Sequence, residues 1–230
     1  MLVKYWMTRS VVTIDSQESM QQAMTLMKEH KVRMLPVLKK GKIVGVVSDT
    51  DLKRASASDA TTLDVHELLY LISKIKVKDI MAKKPVTVPE DWTVEETAEL
   101  LMAKKISGAP VVNSEGSVVG IITRDDLFKV LISLSGLGKR GVQFAFQIED
   151  RPGSIKELTD IIRSYGGRIA SILGSYERVP AGQRVVYLRV YDIDRAKMAE
   201  LQDDLQKKAV LLYVVDHRDN KRKVLRDLAG

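Results

Sequence analysis

The stretch Gly45-Val46-Val47-Ser48-Asp49-Thr50-Asp51-Leu52 returns 75 residues later as Gly120-Ile121-Ile122-Thr123-Arg124-Asp125-Asp126-Leu127. Two more segments repeat in the same order, each at an offset of 74: Met7–Ile14 returns as Met81–Val88, and Leu35–Val37 as Ala109–Val111. Three separated blocks in one order and nearly one register indicate an internal duplication. The first part of the chain is therefore predicted to contain two copies of one structural unit.

Each copy is predicted to fold in the order strand, helix, strand, strand, helix. Ser19 with Gln22, and Thr93 with Glu96, are capping-box pairs that predict the start of the first helix in each copy. Apolar residues at three-and-four spacing follow both and form one apolar face. Neither copy could bury this face and its strands alone, so we expect the two to pack through their sheets about a pseudo-twofold axis, leaving two related clefts.

The repeated box, Gly-h-h-[Ser/Thr]-x-x-Asp with h apolar, lies where a strand runs into a helix. The free N–H groups and partial positive charge of a helix N-terminus suit a phosphate group. The hydroxyl of Ser48 or Thr123 can donate and accept, and the carboxylate of Asp51 or Asp126 can accept from a pair of ribose hydroxyls. The alternative is that these residues only cap the helices, since Ser, Thr and Asp are favoured at that position.

These blocks, in order and twice over, resemble a tandem pair of CBS domains (a Bateman module), named for cystathionine β-synthase, over about residues 1–132. The resemblance implies an adenosine nucleotide (AMP, ADP or ATP) as a regulatory ligand and no catalytic cofactor. It implies that the box aspartates hold ribose, that the box hydroxyls contact ribose or phosphate, that Thr13 and Thr87 lie near the base, and that the residues before each Pro-Val strand line the adenine slot. The nucleotide-binding set is then Thr13, Leu35, Ser48, Asp51, Thr87, Gly108, Ala109, Thr123, Arg124 and Asp126.

The two boxes differ in charge at the position after the hydroxyl residue. Arg124 supplies a guanidinium that can fork onto phosphate oxygens, whereas Asp49 would repel them. We therefore predict that the Thr123–Asp126 box binds a phosphorylated adenosine, and that the Ser48–Asp51 box binds it more weakly or takes an uncharged adenosine.

Residues 142–216 follow a βαββαβ order, typical of a ferredoxin-like fold. This order, together with Asp150-Arg151-Pro152-Gly153-Ser154, resembles an ACT domain. The resemblance implies that a small effector such as an amino acid binds near that loop, through Asp150, Arg151, Gly153 and Ser154. The alternative is a dimerisation unit that binds nothing.

The predicted fold class is α+β / α/β, with six segments along the chain. They are CBS domain 1 at 1–60, a connecting helix at 61–76, CBS domain 2 at 77–134, a linker at 135–141, the ACT domain at 142–216 and a basic tail at 217–230. Gly136–Gly141 fits the dinucleotide pattern Gly-x-Gly-x-x-Gly, but an apolar helix precedes it and a strand follows, so the dinucleotide reading is rejected. The small polar run Ala55–Thr62 predicts a loop.

Composition points to a soluble globular protein. The 230 residues are 45% hydrophobic and 29% charged, and the longest apolar runs span a handful of residues, where a membrane span needs about 20. No signal peptide is recognisable. The absence of cysteine excludes disulfides, thiolate metal sites and cysteine nucleophiles, and fits a cytoplasmic location. The net charge of +7 includes a basic cluster at Arg218–Lys223, which favours a solvated terminus over a nucleic-acid site.

No catalytic residue or metal site is predicted. The three histidines are scattered, and no catalytic triad, HExxH motif or P-loop stands out. The architecture as a whole resembles the bacterial acetoin utilisation regulatory proteins, which implies a regulatory role in acetoin or related carbon metabolism. We expect a homo-oligomer, in the simplest case a dimer, that couples an adenine nucleotide to a metabolic partner protein. The alternatives are a ligand-free oligomerisation scaffold and a nucleic-acid-associated regulator that uses the basic tail.

Overall fold

A computed structural model describes residues 1–59, 70 and 72–227 of the chain. The chain forms two compact units, Met1–Phe128 and Lys129–Gly230. The predicted connecting helix at 61–76 falls mostly outside the described residues.

The first unit contains both repeats as far as Phe128, within the last helix of the second repeat, and each repeat shows the predicted element order. The first repeat consists of β1 (Ile14–Asp15), α1 (Met20–Glu29), β2 (Met34–Lys39), β3 (Lys42–Ser48) and α2 (Asp49–Asp59). The second repeat begins with the short α3 (Val77–Ile80) and β4 (Ala82–Lys83) and continues with β5 (Val88–Pro89), α4 (Val94–Ala103), β6 (Gly108–Val112), β7 (Val118–Thr123) and α5 (Arg124–Leu134).

The capping residues begin the first helix of each repeat as predicted. Ser19 Oγ accepts from the Gln22 N–H at 3.1 Å, and Thr93 Oγ1 accepts from the Glu96 N–H at 3.2 Å. In the second repeat the box is complete, because Glu96 Oε2 also accepts from the Thr93 N–H at 2.8 Å. Behind these caps, α1 and α4 each bury one face, and the buried face of α1 belongs to the core that contains Leu35 and Val47 of the strands.

Each repeat completes the sheet of the other. The N–H groups of Thr8 and Ile121 donate to each other's carbonyls at 2.9 Å, so the leading segment of the first repeat pairs with β7. In return β4 pairs with β3, opposite Gly45 and Val46, giving the sheets β1-β2-β3-β4 and β5-β6-β7. These reciprocal pairings at matching positions are the relation expected of a pseudo-twofold pair.

Two methionine–glycine contacts fix this exchange. A Cβ on Gly120 would lie 2.3 Å from Sδ of Met7, and a Cβ on Gly45 would lie 2.3 Å from Sδ of Met81. The first glycine of each repeated box is therefore where the other repeat's methionine packs. Val77 likewise contributes a fully buried side chain to the core of the first repeat.

The second unit has the predicted ferredoxin-like order with one strand added. Its elements are β8 (Val142–Glu149), α6 (Ser154–Ser164), β9 (Arg168–Ser175), β10 (Gln183–Tyr191), α7 (Met198–Gln206), β11 (Val210–Asp216) and β12 (Lys221–Val224). All neighbours in the sheet β12-β11-β8-β10-β9 are antiparallel. Side chains such as Phe144, Phe146, Leu158 and Leu201 form the core between the sheet and its two helices.

The predicted basic tail at 217–230 is wrong in part, because its residues 221–224 form strand β12. The strand pairs with β11 from Tyr213↔Val224 to Asp216↔Lys221. The turn before it is closed by the Asp216 carboxylate, which accepts from the N–H groups of Arg218 and Asp219 at 2.9 and 3.3 Å. A run of Lys and Arg carries little strand propensity, so only pairing with β11 establishes the strand.

Two other expectations change. The small polar run predicted as a loop continues α2 as far as Asp59, since Ala is the best helix former and Ser56 Oγ donates back to the Leu52 carbonyl at 3.0 Å. The linker predicted at 135–141 lies within the second unit. There the Ser135 carbonyl accepts from Arg189 Nε at 2.5 Å and from Ser171 Oγ at 2.8 Å.

Candidate functional site

Strand register brings the predicted residues of the first repeat to one end of its sheet. Ile14 of β1 lies opposite Val37 in a parallel pair, so Thr13 extends from the same end as the start of β2. The antiparallel partner of Met34 is Ser48. Thr13, Leu35, Ser48 and Asp51, which we call the first site, therefore cluster where β3 passes into α2.

The second repeat places its predicted residues in the same way. Val88 of β5 pairs with Val111, and Gly108 pairs with Thr123. The second site consists of Thr87, Gly108, Ala109, Thr123, Arg124 and Asp126, at the junction of β7 and α5. At both junctions the first helical residue is held alike: Asp49 N–H donates to the Arg33 carbonyl at 3.0 Å, and Arg124 N–H to the Ser107 carbonyl at 2.9 Å.

The hydroxyl and carboxylate of each box bond to each other. Asp51 Oδ2 accepts from Ser48 N–H at 2.9 Å and from Ser48 Oγ at 2.6 Å, while Ser48 Oγ accepts from Asp51 N–H at 3.2 Å. The corresponding distances between Thr123 and Asp126 are 3.0, 2.7 and 3.3 Å. Both boxes are thus capping boxes, as the alternative reading expected. In both boxes the carboxylate accepts the hydrogen bonds of the cap through Oδ2, and these bonds fix its orientation.

The two carboxylates differ in their surroundings. Asp126 is buried, with 5% of its surface exposed, whereas Asp51 is half-buried. Asp51 Oδ1 lies 3.9 Å from Arg54 Nη1. Asp49, which lies beside the first site, forms an ion pair with Lys53 at 3.2 Å. Lys53 therefore offsets part of the repulsion that Asp49 would exert on a phosphate, so the contrast in charge between the two sites is smaller than the sequence alone suggests.

The side chains predicted to line an adenine slot include two that are too buried to contact a ligand. Leu35 and Ala109 are both fully buried, and the Leu35 side chain belongs to the core of the first repeat. A ligand at this edge would therefore meet main-chain atoms at these positions, or the half-buried Met34. At the position that Met34 occupies, the second repeat has Gly108, where a Cβ would come within 2.8 Å of the Ile122 carbonyl oxygen.

The predicted effector loop of the second unit is closed by its own contacts. Gly153, at φ +87°, precedes the first turn of α6, and Ser154 Oγ donates to the Arg151 carbonyl at 2.9 Å. Arg151 is bound by Glu157 at 2.8 Å and by Glu149 at 3.0 Å. The hydrogen bonds that Arg151 donates to Glu157 and then to Glu149 raise the pKa of Arg151. Its charge is thus already paired within the loop.

Sequence reasoning missed Arg184 and Lys208. Arg184 Nε lies 3.4 Å from Asp150 Oδ1, and Arg184 Nη2 lies 3.4 Å from Ser154 Oγ. Lys208 lines a cleft of about 350 Å³ together with Arg151 and Ser154. Arg184 comes from a distant strand, opposite Ile148, so only the strand register reveals that it joins the loop.

In the described part of the chain, no group of three or more His, Asp or Glu side chains is arranged to hold a metal ion. None of the helices within residues 1–59 and 72–227 is long and apolar enough to cross a membrane.

Comparison with known proteins identifies the first unit. The family model described as "CBS domain" matches residues 3–58 and 77–133. A CBS domain-containing protein of Dictyostelium discoideum is 31% identical over 134 residues, which cover 58% of this chain and 92% of that protein. A solved CBS-domain structure is 27% identical with a TM-score of 0.50 and covers 57% of this chain and 98% of that one. The solved complex of CBSX2 from Arabidopsis thaliana with AMP is 34% identical, covers 57% and 96% of the two chains and has a TM-score of 0.47. The chain therefore belongs to the CBS-domain family, with a tandem CBS pair in its first unit.

Proposed function

We propose that this chain is a non-catalytic regulatory protein that binds an adenosine nucleotide of the AMP, ADP or ATP class through its CBS pair. The observation that carries the proposal is the second site, where a buried carboxylate, a hydroxyl and an arginine meet at the N-terminus of α5. As the sequence asymmetry suggests, the second site is the tighter one.

The box geometry supports a role in holding ribose. The two bonds from Thr123 to Asp126 Oδ2 fix the direction of the carboxylate before a ligand arrives. A sugar that presents two adjacent hydroxyls can donate to an oriented carboxylate without a large ordering cost. Because Asp126 is buried, a hydrogen bond to it would be less exposed to competition from water than one to Asp51.

The helix start supports a role in binding phosphate. The first turn of α5 carries the partial positive charge of a helix N-terminus. The N–H groups of Arg124 and Asp126 already donate to the Ser107 carbonyl and to Thr123 Oγ1, so the attraction for phosphate rests on this charge and on the Arg124 side chain. Arg124 is exposed on this turn and adds a guanidinium. The first turn of α2 carries Asp49 at that position, so it offers phosphate the same backbone with an added negative charge.

Regulation would follow from differential affinity. A nucleotide that binds one arrangement of the two repeats more tightly than another shifts the population toward the first, by no more than the difference in binding free energy. The partner that reads this shift, the dimeric state and the link to acetoin metabolism stay predictions of the family resemblance, and the cytoplasmic location stays a prediction from the absence of cysteine.

Isothermal titration calorimetry with AMP, ATP and adenosine tests the proposal. Asp126→Asn keeps the size of the side chain and removes its charge, and Asp51→Asn is the matched variant in the first site. We expect Asp126→Asn to weaken AMP binding by about tenfold and Asp51→Asn to weaken it less. Equal losses would refute the asymmetry, and absence of binding to the wild-type chain would leave the scaffold alternative. Native mass spectrometry of the purified protein would report its copy number and any retained adenine compound.

For the second unit we propose binding of a small carboxylate, in line with the ACT resemblance. The cleft beside Ser154 and Lys208 supports this, since the Lys208 ammonium can pair with a carboxylate. A thermal-shift screen with amino acids and small acids tests it, with Lys208→Gln as the variant expected to abolish any shift. A flat screen would favour the alternative, a dimerisation unit without a ligand.

A further inference from the structure

Strand β12 creates a groove that the βαββαβ order alone does not contain. The strand extends the sheet beyond β11, and the groove lies between it and α7, with a volume of about 570 Å³. We call this the β12 groove. Its lining residues are Val142, Met198, Gln202 and Val214, the acidic Asp216 and Asp219, and the basic Arg195, Lys221, Arg222 and Lys223.

The groove is distinct from the effector loop described above. It is lined by Val142, the first residue of β8, whereas the loop follows Glu149 at the other end of the same strand. At about 3.4 Å per residue, the two ends of β8 are about 24 Å apart. A small ligand in the β12 groove therefore could not also contact Ser154, because it would have to span the length of β8.

The acidic residues of the groove are already charge-compensated. Arg195 Nη1 lies 2.9 Å from Asp216 Oδ2 and also forms an ion pair with Asp219. Asp216 accepts in addition from the Arg218 N–H at 2.9 Å. Because these carboxylates are paired within the turn, they repel an anion in the groove less than unpaired carboxylates would.

The basic residues of β12 are not compensated in this way. Lys221 lies opposite Asp216 and Lys223 opposite Val214, so both lysines project from the face that carries the groove floor. Within residues 1–59 and 72–227, no carboxylate lies within salt-bridge distance of either lysine. The two are separated by about 7 Å along the strand. The groove therefore combines an apolar floor with two unpaired ammonium groups on one rim.

We propose that the β12 groove binds a small organic anion, with its apolar body on Val142, Met198 and Val214 and one or two acidic groups at Lys221 and Lys223. Its volume is within the range of ligand sites, which are clefts of about 300–1,000 Å³ with apolar walls and a few placed polar groups. The acidic group is a carboxylate or a phosphate, both of which pair with ammonium groups. A single-stranded nucleic acid fits less well, because its bases need aromatic side chains to stack on and the lining residues include none.

Fluorescence titration of the full chain with 8-anilinonaphthalene-1-sulfonate tests the proposal, because this probe joins an aromatic body to one acidic group. Lys221→Glu with Lys223→Glu reverses the charge of the rim. Lys39→Glu with Lys42→Glu makes the same change in charge at the exposed β2–β3 turn and is the matched control. Gln202→Trp narrows the groove from the α7 side without any change in charge, so it tests the site even if the β12 variant loses its hairpin.

We expect the β12 pair and Gln202→Trp each to weaken probe binding by about tenfold, and the control pair to change it by less than about twofold. Hexanoate or hexyl phosphate should displace the probe, and whichever displaces it at lower concentration identifies the acidic group. Equal loss in the control pair, an unchanged affinity in Gln202→Trp, or equal displacement by hexanol would overturn the proposal. Binding of a labelled thymidine oligonucleotide that depends on Lys221 and Lys223, with unchanged probe binding, would replace it by the nucleic-acid alternative.

Discussion

The first and second sites have the same backbone frame and different charges. Ser48 with Asp51, and Thr123 with Asp126, form the same three hydrogen bonds to within about 0.1 Å. The residues beside this frame differ: Asp49 stands where the second site has Arg124, and Met34 stands where it has Gly108. The comparison teaches that capping preserves the shape of both boxes, while selectivity for a ligand depends on neighbours that the cap does not use.

The largest effect on stability is expected when Gly108 of the second repeat is replaced by methionine, the residue that the first repeat has at the matching position, Met34. Gly108→Met should destabilise the first unit by about 1–3 kcal/mol, because the added Cβ meets a main-chain oxygen of β7 that cannot move aside. Urea unfolding followed by tryptophan fluorescence measures this, since both tryptophans, Trp6 and Trp92, lie in the first unit. Ser114→Met, on an exposed turn of the same unit, is the control. A loss no larger than in the control would show that Gly108 is not required for close packing.

Exchange of the charged neighbours should reverse the preference between the sites. In a chain with both Asp49→Arg and Arg124→Asp, we expect AMP affinity to fall about tenfold at the second site and to rise at the first, a change of about 1.4 kcal/mol at each. Calorimetry with added Asp51→Asn or Asp126→Asn assigns each change to its site. Adenosine, which lacks the phosphate, is the control ligand and should bind the exchanged chain as it binds the wild type. An unchanged order of affinity for AMP would rule out Arg124 as the source of selectivity.

Removal of the box hydroxyls should affect the two repeats equally. Ser48→Ala and Thr123→Ala should each lower the free energy of unfolding by about 1 kcal/mol, because each removes a helix cap. Urea unfolding followed by tryptophan fluorescence measures both, and Ser114→Ala, on an exposed turn, is the control. If one variant lost more than about twice what the other lost, the frame would not be symmetric in energy although it is symmetric in geometry.

The smallest expected effect is a pH dependence of stability that the cap of α4 has and the cap of α1 lacks. Hydrogen bonds from the main chain and then the side chain of Thr93 lower the pKa of Glu96. Its contribution to stability is therefore present above the pKa of the unfolded chain and is lost as the pH falls through the lower, folded pKa. We expect the difference in stability between the wild type and Glu96→Gln to shrink between about pH 7 and pH 3.

The first repeat provides the matched test, since Gln22 occupies the position of Glu96. Gln22→Glu should introduce the same pH dependence at the start of α1. A wild-type chain and a Glu96→Gln chain with parallel pH profiles would contradict the assignment.

Much of the first unit could be predicted because its signals are local and occur twice. The offset of 74–75 residues, the capping pairs and the apolar spacing determine each element in order. The sequence could not reveal that Met7 packs on Gly120 and Met81 on Gly45, because the exchange depends on tertiary pairing. The ion pair between Asp49 and Lys53 has the four-residue spacing typical of helix-surface ion pairs, so the sequence did carry a signal for it, and sequence reasoning missed that signal.

The second unit shows the opposite balance. Alternating strands and two amphipathic helices predict its layout, but β12 carries a run of charged residues that resembles a disordered tail. Arg184 could not be assigned to the loop near Asp150 without the register between β10 and β8. Long-range pairing thus decides the features that sequence periodicity misses.

The exchange of leading segments has a consequence for how the first unit can be assembled. Val77 lies in the core of one repeat although it precedes the other in the chain, and the N–H of Val3 donates to the Trp92 carbonyl at 2.8 Å across the same divide. A chain cut between its two repeats would yield two fragments. Each would lack an edge strand and would expose the glycine on which the other repeat's methionine packs. Such halves should become folded only when mixed, as a complementing pair. The two repeats therefore form one cooperative folding unit.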